Sequence, residues 1–144
     1  MKTIRSNPHV LHPAALFAAA ILPLTFHANA FAATGEETYQ RVCQACHGTG
    51  AANAPKFGDK TAWRKLIAEP QHVLTAHGYV GVRGMPAKGG DPNLSLEDFA
   101  RATAHMARAA GAKWKDPDAK LLKKMELEVK KREQEIAART KSKP

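Results

Sequence analysis

Cysteine is nearly absent from this 144-residue chain: there are two, Cys43 and Cys46. Two thiols are too few for a disulfide-rich scaffold and too few for a four-thiolate zinc or iron-sulfur site. Long apolar runs are also missing. The most hydrophobic stretch, residues 14–26, is thirteen residues long and is interrupted by Pro23, against the ~20 that a membrane-crossing helix needs. No stretch alternates apolar and polar residues as a half-buried strand would, and no segment repeats another. Acidic residues are the scarcer charge, 13 Asp and Glu against 22 Lys and Arg, a formal +9. With 44% hydrophobic and 24% charged residues, the remaining expectation is one globular domain with additions at its ends.

The first addition reads as a secretory signal. Lys2 and Arg5 form a basic start, the short apolar run follows, and Ala28-Asn29-Ala30 has the small-x-small form of a cleavage site, with Ala30-Phe31-Ala32 as a second position. The predicted domains are residues 1–30 as leader (cleaved after 30 or 32), 33–112 as the folded domain and 113–144 as a tail. Residues 33–112 hold nine basic and seven acidic side chains, a net +2, whereas residues 113–144 hold eleven and six, a net +5. The basic character therefore sits mostly in the tail.

Caps and apolar periods make the chain all-helical. Thr34 and Glu37 form a capping-box pattern opening a helix through Tyr39, Val42 and Cys46, ended by Gly48 and Gly50. Residues 61–69 carry Trp63, Leu66 and Ile67 at helical spacing, and Pro70 opens a further short helix through Val73 and Leu74. Residues 78–93, rich in Gly and Pro, are expected as loop. Ser95 to Asp98 is a second capping pattern, followed by Phe99, Thr103, Met106 and Ala110 at steps of four, three and four, with Gly111 as the C-terminal cap. Asp116-Pro117 is expected to open a long amphipathic helix, to about residue 138, with Leu121, Leu122, Met125, Val129 and Ile136 on its apolar stripe.

The chemistry concentrates in Cys43-Gln44-Ala45-Cys46-His47. On a helix, positions i, i+3 and i+4 share a face, so two thiols and an imidazole point one way. That arrangement suits covalent haem attachment, each thiol forming a thioether and the imidazole ligating iron. A redox dithiol and a bare metal site are the rival readings. For a second axial ligand the candidates are Met85, Met106, Met125, His72, His77 and His105. Met85 is preferred because Gly84 permits close approach, Pro86 biases Met85 to an extended backbone, and a loop residue has no helical stripe to satisfy. Met106 and Met125 read as core filler.

Residues 34–111 resemble a class I cytochrome c, the bacterial periplasmic cytochrome c5 type. The resemblance rests on Cys43 to Gly48, on Ala54-Pro55-Lys56-Phe57-Gly58-Asp59 with Trp63 following, and on Gly84-Met85-Pro86-Ala87-Lys88-Gly89-Gly90. It implies a small all-α fold around one covalent haem c, His47 and Met85 as axial ligands, a Pro55 carbonyl orienting His47, and one-electron transfer between periplasmic or membrane redox partners rather than catalysis. Phe57, Trp63 and Phe99 are expected to pack the cofactor, and Lys56, Lys60, Arg83 and Lys88 to rim its edge. The alternatives are a haem sensor or low-turnover peroxidase with an open iron, or a fixed haem subunit of a larger oxidoreductase. The sequence departs from the family in having no extra cysteine pair and in its tail, which is expected to pack on its own domain or to meet an acidic protein or an anionic membrane surface. Nucleic acid is not an expected partner, because acids are mixed through the basic run.

Overall fold

The computed structural model describes residues 32–142, so the expected leader and its first expected cleavage position lie outside the described residues. The first helical rod has three parts. Helix α1 (Gly35–Thr38) runs through a π-helical stretch (Tyr39–Cys43) into α2 (Gln44–His47). The capping box at its start is formed: the Thr34 hydroxyl accepts from the Glu37 N–H at 3.1 Å, and the Glu37 carboxylate accepts from the Thr34 N–H at 2.8 Å. The next elements are α3 (Lys60–Trp63), α4 (Gln71–Val80), α5 (Leu96–Ala109) and α6 (Ala119–Lys141). Among the described residues no strand forms; one isolated antiparallel bridge joins Val82 and Met85.

Two helix pairs carry the architecture: α1 crosses α5, and α6 lies along α4, which also meets α5. The first crossing is close because residue 35 is glycine: a Cβ there would collide with the Arg101 carbonyl and sit 3.1 Å from the His105 Cβ. Helix α5 answers with alanines, and Ala100, Ala104 and Ala107 are fully buried. The stripe expected on α5 holds, with Phe99, Thr103, Met106 and Ala110 all buried. Gly111, at φ 101°, closes α5, while the Ala112 N–H donates to the Ala107 carbonyl at 2.9 Å.

Three boundaries differ from the sequence expectation. Residues 61–69 form a regular helix only to Trp63 and continue as turns, in which isolated bonds from Ile67 N–H to the Trp63 carbonyl at 2.9 Å and from Glu69 N–H to the Leu66 carbonyl at 3.1 Å replace a continuous ladder. Helix α4 runs through Gly78 to Val80 instead of ending early, so the loop begins at Gly81 and contains the Val82–Met85 turn and a 3-10 turn (Ala87–Gly90). Asp118, not Asp116, caps α6, accepting from the Leu121 N–H at 2.7 Å. Asp116 is drawn to Arg108 at the end of α5, 2.9 Å away.

The tail packs back on its domain. Met125 is fully buried and Val129 is 8% exposed, and Gln71 at the start of α4 donates to the Lys115 carbonyl at 2.8 Å. No helix among the described residues is long and apolar enough to cross a membrane.

Candidate functional site

One cavity of about 530 Å³, within the ~300–1,000 Å³ typical of cofactor sites, opens between the first rod, α4, α5 and the loop after Gly81. Its wall is mostly apolar, from Val42, Leu66, Leu74, Val82, Phe99 and Met106. Cys43, Cys46 and His47 all line it. The π-helical stretch brings this about locally: the Gln44 N–H donates to Tyr39, five residues back, which widens the turn just before the motif, as π-bulges do at functional sites.

His47 is 7% exposed and its Nδ1 lies 2.9 Å from the Pro55 carbonyl. A carbonyl only accepts, so Nδ1 carries the proton and Nε2 is the ring nitrogen left with a lone pair. Pro55 reaches this place because Gly50, Ala52 and Asn53 take left-handed backbone angles, φ 84°, 49° and 61°, turning the chain sharply after α2. The Phe57 N–H then donates to the His47 carbonyl at 2.6 Å. Trp63 stands 6.2 Å from the His47 ring, its Nε1–H donating to the Lys56 carbonyl at 2.8 Å.

Met85 lines the cavity on the opposing loop. It is pinned by a pair of backbone bonds with Val82, Val82 N–H to Met85 O at 3.1 Å and Met85 N–H to Val82 O at 2.9 Å. The turn between them is made by Arg83 at φ 56°, a strained angle for a residue with a side chain. Gly84, expected to permit close approach, does not: a Cβ there would meet nothing nearer than 3.8 Å. Gly78 is the glycine that makes room, since a Cβ on it would press the Phe99 ring at 3.1 Å and reach Met85 Cε at 4.0 Å.

Of the residues expected at the site, Pro55 and Trp63 line the cavity and Phe57 does not. Phe57 is 37% exposed and stacks outside, 4.6 Å from the Tyr39 ring and 5.2 Å from His105. Its N–H bond to His47 turns the ring to the outer side of the first rod. His72, His77 and His105 are also off the wall; His77 faces Glu69 at 3.8 Å. Met106 lines the cavity as well as the core, which its place on the α5 stripe with Phe99 and Thr103 could have shown. In the expected cationic rim, Lys56, Lys60 and Arg83 are exposed. Lys88 is half-buried and instead folds along its own loop, donating to the Pro92 carbonyl at 2.8 Å and lying 5.6 Å over the Tyr79 ring.

Burial, and then the neighbouring Cys46, push the Cys43 thiol up to about 11. A thiol held protonated at neutral pH is a poor nucleophile, which counts against the redox-dithiol reading. The chemistry of the wall instead fits a flat apolar cofactor carrying iron: two unpaired thiols, an imidazole with one nitrogen free, and a thioether on the facing loop.

Comparison with known proteins agrees. Residues 30–106 match the family described as cytochrome c oxidase, cbb3-type, subunit III, a match that ends before α6. The chain is 47% identical over 79 residues to a cytochrome c-555 of Chlorobaculum thiosulfatiphilum, covering 52% of this chain and 92% of that one. It is 44% identical over 100 residues to a cytochrome c-555 of Chlorobaculum tepidum, covering 65% and 90%. A cytochrome c5 of Azotobacter vinelandii is 35% identical over 78 residues, covering 53% and 94%. A solved chain from an electron transfer complex of nitrite reductase with cytochrome c superposes with a TM-score of 0.51 at 39% identity, over 53% of this chain and 93% of that one. With the helical architecture and the thiol–imidazole wall, these likenesses establish that the chain belongs to the class I monohaem c-type cytochromes, electron carriers with a covalently attached haem c.

Proposed function

We propose that Cys43 and Cys46 form the two thioether bonds to the haem, and that His47 Nε2 and Met85 Sδ are the axial ligands of its iron. The observation that carries this is the pairing of His47 Nδ1 with the Pro55 carbonyl, which fixes tautomer and ring orientation and leaves Nε2 as the ligating nitrogen. When bound, haem c supplies reversible one-electron exchange at iron. The chain's own part is to hold and tune it. Apolar walls from Leu66, Leu74, Phe99 and Met106 exclude water, and burial with a thioether ligand favours the reduced state and a higher potential. The double backbone bond between Val82 and Met85 keeps the thioether in place, so this reading leaves no vacant position for peroxide or a sensed gas.

Redox proteins are the partners of this class. Arg83 on the cavity wall and the exposed Lys56 and Lys60 give those partners a cationic approach, through interfaces at the small end of the protein–protein range. The leader at residues 1–30 supports a periplasmic location, where attachment of haem c and exchange with membrane enzymes take place.

The test is the visible spectrum of protein exported alongside haem-attachment machinery, oxidised and reduced, with a denaturing gel stained for covalent haem. Covalent haem with the far-red band of methionine on ferric iron is the expected result. Covalent haem without that band would replace Met85 as ligand, and absence of covalent haem would overturn the assignment of Cys43 and Cys46.

A further inference from the structure

Leu127 is the most exposed large apolar side chain among the described residues, at 61%, ahead of Ile136 at 39% and Phe57 at 37%. Its exposure follows from where α6 packs. Met125 and Val129, two residues to either side, are buried against the domain, and two residues is ~200° around a helix, so Leu127 points away from α4. Its surface neighbours are the residues three and four away in both directions: Lys123, Lys124, Lys130 and Lys131, all exposed. Glu126 and Glu128 fall ~100° to either side, and Glu128 pairs with Lys131 at 3.2 Å. The outward line of α6 is thus a leucine inside a ring of four lysines. No residue of α6 lines the haem cavity.

We propose that Leu127 and its lysine ring are a docking site for an acidic protein surface, with Leu127 entering a small apolar socket rimmed by carboxylates. An apolar centre inside a polar rim is the general layout of a protein–protein interface, and the ring's charge selects an acidic partner. A bilayer suits it less: an interfacial helix sinks a whole apolar face, and that face of α6 is already against α4. A partner held here leaves the cavity mouth free, so the chain can stay attached to one protein while exchanging electrons with another. The site goes beyond the carrier reading and does not depend on the identity of the axial ligands.

The experiment titrates isotopically labelled ferrous holo-protein with a synthetic acidic peptide of Glu and Leu, and in parallel with phosphatidylglycerol and phosphatidylcholine vesicles, following backbone amides by NMR. Shifts centred on residues 120–134 are expected. The Lys123→Glu/Lys130→Glu pair and Leu127→Ser should each weaken peptide binding by about tenfold or more, while Lys113→Glu, at an exposed lysine outside both the ring and the cationic approach to the cavity, leaves it unchanged. Shifts centred on the cavity mouth, or undiminished binding by the α6 variants, would overturn the proposal. Tighter binding to phosphatidylglycerol vesicles than to the peptide would also overturn it, assigning the ring to lipid. Each variant's visible spectrum and far-ultraviolet circular dichroism are recorded first, so a failure of the haem reading shows there and not in the titration.

Discussion

Met85 and Gly35 are residues whose neighbours define what a substitution does. Met85→Ala removes a thioether but neither of the thiols nor His47, so covalent haem should persist. The potential should fall by on the order of 0.1 V, a modest part of the ~0.8 V that axial ligation spans, and the iron should take up added imidazole or cyanide. Potentiometry and ligand titration read both, and an unchanged potential would remove Met85 from the iron. Gly35→Ala tests the helix crossing instead. Its methyl has nowhere to go against the Arg101 carbonyl, so α1 must back off from α5, an overpacking cost of about 1–3 kcal/mol. Chemical denaturation of holo-protein measures it, with the spectrum unaffected until unfolding.

Among the elements, those fixed by local chemistry could be read from sequence. Thr34 with Glu37 and Gly111 after a four-three-four apolar stripe carry their own geometry and form as expected, while the box expected at Ser95 forms by half: its hydroxyl accepts from the Asp98 N–H and donates to the Asp98 carboxylate, which does not reach back to the Ser95 N–H. What could not be read was decided by distant partners. Arg108 takes Asp116 and leaves the α6 cap to Asp118, and a backbone bond to His47 turns Phe57 away from the cavity. The cavity wall was legible where a motif or the α5 stripe supplied it and illegible where the packing of α4 did, as with Gly78 and Leu74. The capping box also predicts a pH dependence. Bonds from Thr34 hold the Glu37 carboxyl below its usual range, so its contribution is complete above the unfolded value and is lost as pH falls through the lowered folded one. The stability gap between wild type and Glu37→Gln should be widest near neutrality and shrink under acid, as urea titrations at several pH values would show.

As a whole molecule, the chain is built around a hole. The apolar wall of this cavity of about 530 Å³ is a large share of the core that so short a chain can build, and the cofactor supplies the packing that side chains alone do not. Protein with both Cys43 and Cys46 changed to Ser should therefore be loosely packed, with weak near-ultraviolet circular dichroism. Helix α6 is the opposite kind of addition, since it adds core without touching the cavity. Deleting residues 113–144 should leave the spectrum intact while uncovering α4 and lowering the midpoint of thermal unfolding; loss of haem on truncation would make the tail part of the cofactor fold.

The unequal burial of the two cysteines sets an order of events in biogenesis. Cys46 is exposed in the folded chain, whereas Cys43, on the same rod, is 5% exposed, between the cavity wall and the core. On the proposed attachment, one sulfur is open to an enzyme after folding and the other is not, so both bonds are expected to form on a still open polypeptide, with closure of the helices last.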